Sequence, residues 1–332
     1  MTKSFEITAD TAKQLHQNHM AQLGISETMT LAQAYNRMQF AEQDALRKRL
    51  FEDHLEELLD QNGPRPSKNI ELQDGWAIDT SMSLPYLDQV LAESRELISE
   101  RAGVRTSPTG AYRSFFQDLI QPEDLTRFPS FVNFATSSEL LSTVSRYIKS
   151  IPALSTTLPS GIRLVESNAA FDDAPDRPKD SQLFHIDYYS LPNVYVLVLL
   201  EDVIKECGPW SFLPRSTSQR VSQQLEYWQK PRGYRISDEE VYSIVDPQEL
   251  IEFTYPRGTV LFIESSGCLH FGSRNSVKPR FQLMYGYTGA IRTDFSESFM
   301  TPKQYPVQDS DSMLRRLVLE KNILPDLSSL GA

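Results

Sequence analysis

At about Ser160 the hydrophobic period of this chain changes, and that change limits the fold to a helical part joined to a β-rich part. Before it, Leu46, Leu50, Leu55, Leu58 and Leu59 recur at the spacing of one helix face until Gly63-Pro64 ends the run. Thr30 followed by Gln33 has the form of a capping box and marks the expected start of that helix. The charged residues among the leucines, including Arg47, Lys48, Arg49, Glu52, Asp53, Glu56 and Glu57, read as its solvated face. Shorter helices are expected over Tyr86 to Arg101 and over Ser137 to Lys149. After Ser160 come short runs of branched and aromatic residues separated by turn chemistry. Gly161 to Ala169, Asn193 to Leu200, Gly258 to Glu264 and Arg280 to Tyr287 read as strands, the second buried on both faces. Ser216 to Trp228 interrupts them as a helix, with Ser216 or Thr217 as its cap. The expected fold class is α+β with a mainly β core.

Composition narrows the partners. A chain of 332 residues with 40% hydrophobic content can bury a core, and its formal net charge of -11 provides no basic footprint for nucleic acid or an anionic membrane. A small-molecule partner fits better. The start, Met1-Thr2-Lys3-Ser4-Phe5-Glu6, runs into polar sequence without an apolar signal core, and no later stretch is long and uncharged enough to cross a bilayer. A soluble, cytoplasmic protein is expected. Cys207 and Cys268 are too few for a disulfide framework and are expected to be small buried thiols. The sequence sets no oligomeric state.

Chemistry concentrates in four residues. In a strand, residues two apart face the same way, so His185 and Asp187 in Phe184-His185-Ile186-Asp187 can point at one atom while Ile186 packs behind them. The chain has five histidines, and His16, His19 and His54 sit in the helical part without a matching carboxylate. His270 is the natural third ligand. Two imidazoles and a carboxylate can occupy one face of an octahedral Fe(II) and leave the opposite face open for a cosubstrate and dioxygen. Gly272 to Pro279 reads as a turn, so a hairpin is expected to place Arg280 beside His270. There its guanidinium fork can hold a carboxylate by two parallel hydrogen bonds, with Gln282 alternating onto the same face. The Pro/Asp-rich stretch from Asp172 to Asp180, just before the ligand strand, reads equally as a pocket cover or a surface connection.

These residues carry a family resemblance. From about Gly161 to Thr288 the chain resembles the phytanoyl-CoA dioxygenase family of Fe(II)- and 2-oxoglutarate-dependent oxygenases. The matching segments are Phe184-His185-Ile186-Asp187, Leu200-Glu201-Asp202-Val203, Cys207-Gly208-Pro209-Trp210-Ser211-Phe212-Leu213-Pro214, Gly258-Thr259-Val260-Leu261-Phe262, His270-Phe271-Gly272-Ser273-Arg274-Asn275 and Arg280. After Pro214 the family usually continues Gly-Ser-His, where this chain has Arg215-Ser216-Thr217. The resemblance implies a double-stranded β-helix, the cupin-like jelly roll. It would span about 111–332, with an inserted helix near 216–229, after a helical part of about 1–110, all within a single catalytic domain. It also implies Fe(II) on His185, Asp187 and His270, 2-oxoglutarate on Arg280 and Gln282, and dioxygen as second cosubstrate. Because Asp187 supplies the carboxylate that related halogenases lack, hydroxylation of an unactivated carbon is expected, with succinate and carbon dioxide as coproducts.

Two other readings stand beside this one. A non-catalytic jelly roll would bind metal without forming succinate, and a zinc hydrolase would use the same three ligands with an open water. Gly208, Pro209 and Trp210 are expected to turn and pack the barrel. Arg163, Asn168 and Gln182 are expected as polar residues near the pocket wall, and Arg113 and Asn133 lie in a middle segment with no assigned role.

Overall fold

The structure, a computed structural model, describes residues 24–105, 115–157, 159–172, 177–229, 235–325 and 327. His16, His19, Arg113 and part of the Asp172 to Asp180 stretch lie outside these. Among the described residues twelve strands form two antiparallel sheets. They are β1 (Trp76–Asp79), β2 (Phe116–Asp118), β3 (Ala153–Leu154), β4 (Ile162–Ser167), β5 (Phe184–His185), β6 (Asn193–Leu199), β7 (Ser211–Phe212), β8 (Arg235–Ile236), β9 (Ile251–Glu252), β10 (Val260–Glu264), β11 (His270–Phe271) and β12 (Arg280–Thr288). The large sheet runs β1-β10-β6-β12-β4-β2, with β3 on β12, and the small sheet runs β8-β5-β11-β7-β9. The longer helices are α1 (Ile25–Asn62), α2 (Leu87–Arg101), α3 (Ser138–Ile148), α4 (Arg215–Gln224) and α5 (Met313–Leu319).

Strand alternation divides the core into layers. Val194, Val196 and Val198 of β6, Val260 and Phe262 of β10, and Leu283, Tyr285 and Tyr287 of β12 face the helices, where they pack with Leu50, Leu58, Leu97 and Leu141. The alternate residues Tyr195, Leu197, Leu199, Leu261 and Ile263 face the small sheet and pack with Trp210, Phe212 and Phe253. β6 is buried along its whole length, as the apolar run that follows Asn193 requires. Cys207 and Cys268 are free, buried thiols.

Several local expectations need correction. α1 begins at Ile25 after Gly24, and Thr30 lies inside it, returning its hydroxyl to Ser26 O at 2.8 Å. Arg47 is not on a solvated face. It is 1% exposed and donates to the carbonyls of Ile151, Pro152, Leu317 and Lys321. Two of those carbonyls lie at the C-terminal end of α5, where a cation also meets the helix dipole. α4 starts at Arg215 and takes its cap from a distant loop: Ser216 N and Oγ donate to the carboxylate of Asp74 at 2.8 and 2.6 Å. Finally, β11 and β12 do not form a hairpin. β11 lies in the small sheet and β12 in the large one, so residues 272–279 cross between sheets.

Candidate metal centre

The crossing makes a cavity with one wall from each sheet. It encloses about 100 Å³ and is lined by His185, Asp187, Trp210 and His270 on the small-sheet side, and by Arg163, Val165, Tyr195, Arg280, Gln282 and Met284 on the large. A larger groove of about 740 Å³ lies elsewhere, lined by Met29, Leu191, Arg215, Trp228 and Glu264, and contains none of His185, Asp187 or His270.

His185 on β5 is the direct cross-strand partner of His270 on β11, and the two rings lie 4.3 Å apart. Asp187 follows β5 and keeps its alternation, so Phe184 and Ile186 pack on the opposite side with Val221 and Tyr227. His185 Nδ1 bonds Leu183 O and His270 Nδ1 bonds Cys268 O, each at 2.9 Å. A carbonyl can only accept, so each ring is fixed with its proton on Nδ1 and its lone pair on Nε2, the tautomer that ligates a metal. Those two Nε2 atoms lie 4.0 and 3.7 Å from the Asp187 carboxylate, separations that one ion with bonds of about 2.1 Å can bridge. The three residues form a metal-binding arrangement, with one ligand atom of each within 4.8 Å of the others. The donor set of two imidazoles and a carboxylate suits Fe(II).

The surroundings hold these side chains in place. Trp210 stacks on His270 at 4.5 Å, so it does more than turn and pack the chain. Tyr189 donates its hydroxyl to Asp187 Oδ2 at 3.0 Å and shares a short hydrogen bond with Tyr195. Burial, and then the neighbouring Asp187 charge, push the Tyr189 phenol well above its ordinary range and keep it a neutral donor. Tyr189 was missed in the sequence although it is the next residue of the His185, Asp187 parity. Tyr195 was equally open to detection as an inward residue of β6.

Arg280 and Gln282 face the cavity from β12. Arg280 Nη1 donates to Gln282 Oε1 in a short contact, and Nη2 donates to Ser273 Oγ at 3.2 Å. Among the described residues no carboxylate pairs with Arg280, and Arg280 Nε and Gln282 Nε2 are buried without a hydrogen-bond partner. Burial pulls the guanidinium down to about 10, with Cys207 opposing the shift. A buried cation without an anion is costly, and a polar atom buried without a partner adds to the cost.

The other polar candidates have structural partners. Gln182 is buried and donates to Ser273 O at 2.8 Å, Asn168 caps a short helix at Ala170 N, and Asn133 accepts from Arg315. Arg163 lines the cavity itself. His54 lies on α1 beside Glu57, away from the site.

No family model matches the chain, and no curated protein matches it by sequence. Among solved structures it is similar to the non-heme alpha ketoglutarate dependent epimerase SnoN from nogalamycin biosynthesis, with a TM-score of 0.40 and 14% identity over 71% of this chain and 92% of that one. It is similar to EctD from S. alaskensis with 2-oxoglutarate and 5-hydroxyectoine, with a TM-score of 0.41 and 14% identity over 65% of this chain and 72% of EctD. HygX from Streptomyces hygroscopicus with nickel and 2-oxoglutarate bound gives a TM-score of 0.38 and 14% identity, covering 64% and 82% of the two chains. No helix among the described residues is long and apolar enough to cross a membrane.

Proposed function

We propose that this chain is an Fe(II)- and 2-oxoglutarate-dependent dioxygenase of the phytanoyl-CoA dioxygenase type that hydroxylates an unactivated carbon of a small molecule. Its β core would be a double-stranded β-helix, and the helical N-terminal part and that core would form one catalytic domain. His185, Asp187 and His270 would hold the iron. Arg280 would take the far carboxylate of 2-oxoglutarate, with Gln282 Nε2 adding a neutral donor.

The observation that carries this reading is the buried guanidinium of Arg280, which has no carboxylate partner among the described residues and shares one cavity with the His-Asp-His cluster. A hydrolytic zinc site would need the three ligands and a water but has no use for that cation. A dicarboxylate that chelates the metal at one end satisfies Arg280 at the other. When bound, iron, 2-oxoglutarate and dioxygen supply the oxidant that removes hydrogen from a substrate carbon, with succinate and carbon dioxide as coproducts. The chain's own residues orient and enclose the site. Leu183 O and Cys268 O fix the histidine tautomers, Tyr189 holds one oxygen of Asp187, Trp210 covers a face of His270, and Val165 and Met284 line the wall against water.

The test is an anaerobic titration of Fe(II) and 2-oxoglutarate into the parent protein, His185→Ala and Arg280→Gln, followed by the metal-to-ligand absorption band. The parent is expected to form the band, and His185→Ala to lose it. Arg280→Gln is expected to need at least about ten-fold more 2-oxoglutarate, the equivalent of one lost charge-assisted contact. Identical titrations in all three proteins would remove the site assignment. Turnover with zinc and without 2-oxoglutarate would replace the oxygenase with a hydrolase.

A further inference from the structure

Arg163 is a second cation on the same cavity floor, and neither the metal nor the cosubstrate uses it. On β4 it stands opposite Met284 of β12, whereas Arg280 stands opposite Ser167. Four residues of β4 therefore separate the two arginine positions, about 13 Å along the sheet. Arg163 Nε donates to Asp118 Oδ2 at 3.2 Å, and the guanidinium lies 5.5 Å from the centre of the Phe116 ring. Asp118 is itself held by the backbone N–H groups of Leu164 and Ile120, so the pair is fixed in position. Among the described residues the two terminal nitrogens of Arg163 make no hydrogen bond. They are the part of the fork that grips a carboxylate in two parallel bonds.

The charges point the same way. The cavity lining contains two cations, Arg163 and Arg280, and one anion, Asp187. With the cosubstrate in place as proposed above, Fe(II), Asp187, dianionic 2-oxoglutarate and Arg280 balance, and Arg163 is the cation left over. Asp118 offsets it only in part, because Lys303 also lies close enough to interact with both Asp118 and Arg163. A positive surplus at the pocket of a chain whose net charge is -11 is a local feature rather than a general one. Around Arg163 the lining is apolar, from Phe116, Pro159, Val165 and Met284.

We infer that Arg163 is the substrate-anchoring residue and that the substrate is a small organic acid with an apolar body. Its carboxylate lies on Arg163 and its body extends past Met284 towards the metal ligands. This rests on the oxygenase reading for its charge balance, but the anion site itself is separately testable.

The experiment compares acids with matched uncharged amides, 3-phenylpropionate against 3-phenylpropanamide and octanoate against octanamide. The full chain, Arg163→Gln, Arg163→Lys and Arg280→Gln are used, alone and with Fe(II) and saturating 2-oxoglutarate under anaerobic conditions. Melting temperature and the metal-to-ligand band are read. Acids are expected to raise the melting temperature and perturb the band at concentrations at least ten-fold below the amides. Arg163→Gln is expected to abolish that preference while keeping the affinity of the parent for 2-oxoglutarate, and Arg163→Lys to retain part of it. Equal responses to acid and amide, including none to either, overturn the inference. So does a loss of 2-oxoglutarate affinity in Arg163→Gln as large as in Arg280→Gln. If the parent takes up neither iron nor 2-oxoglutarate, the oxygenase reading fails, while the acid and amide comparison on the protein alone still decides the role of Arg163.

Discussion

Tyr189 holds the carboxylate of Asp187 in place. Its hydroxyl holds Asp187 Oδ2 at 3.0 Å, and its phenol is kept neutral by burial and by the carboxylate it serves. Such supporting hydrogen bonds fix ligand orientation, and losing one typically costs about 10- to 100-fold in metal affinity or activity. Tyr189→Phe is therefore expected to weaken Fe(II) binding by about that factor, measured by competition with a chelator, while the Arg280 end keeps its affinity for 2-oxoglutarate at saturating iron. An unchanged metal affinity would mean that backbone geometry alone orients Asp187. At this scale much of the site was legible. His185, Asp187 and His270 stand out through strand parity and the scarcity of histidine, and Gln282 follows from Arg280 by alternation. The isolation of Arg280 could not be read, because it depends on which carboxylates fail to approach in space. Arg163 was placed near the pocket wall, but what fixes it there could not be read, because its partner Asp118 lies 45 residues away.

Periodicity located the elements well and misjudged their ends and partners. The helix over Ser138–Ile148 and the strand Arg280–Thr288 lie close to where their patterns put them. The cap of α4 escaped because Asp74 supplies it from another part of the chain, and Arg47 escaped because charge on a helix usually means solvent. Arg47 satisfies four carbonyls. Arg47→Met removes the cost of a buried cation but strands those acceptors, each worth about 1–3 kcal/mol. The net loss is expected to exceed about 3 kcal/mol by urea unfolding, whereas Lys48→Met, at an exposed neighbouring position, should change stability by less than about 0.5 kcal/mol. β12 offers the opposite case. Among the described residues the Tyr285 hydroxyl is buried without a hydrogen-bond partner, while that of Tyr287 donates to Ala135 O at 2.7 Å. Tyr285→Phe is expected to be neutral or stabilising at pH 7, and Tyr287→Phe to cost about 1 kcal/mol. Burial raises the Tyr285 phenol well above its ordinary value of 10.0. Below that value both folded and unfolded chains keep the proton. Above it the unfolded chain releases a proton that the folded chain holds, so the stability contributed by Tyr285 declines as pH rises. The advantage of Tyr285→Phe over the parent should therefore widen above pH 10 by up to about 1.4 kcal/mol per pH unit, and a constant difference across that range would contradict the assignment.

For the whole molecule, the useful consequence of the sheet crossing is that the two halves of the proposed site belong to different sheets. His185 and His270 sit on strands of the small sheet, with Asp187 just past one of them, and Arg280 and Gln282 sit on a central strand of the large sheet. A hairpin between residues 270 and 280 would have put both halves on one ribbon, and a ligand joining them would then have tied together only local structure. Across two sheets, 2-oxoglutarate chelated at one end and paired with Arg280 at the other becomes a tie through the core. A ligand that binds only the folded state adds about 2.7 kcal/mol when present at a hundred times its dissociation constant. Fe(II) alone should thus raise the melting temperature of the parent by several degrees, and 2-oxoglutarate should raise it further only when iron is present. A chelator should reverse both steps. His185→Ala is expected to respond to neither ligand, and Arg280→Gln to iron alone. The order of addition separates this coupling from two independent sites: if 2-oxoglutarate stabilised the metal-free protein as strongly as the iron-loaded one, the two sheets would not be joined through a shared metal and cosubstrate.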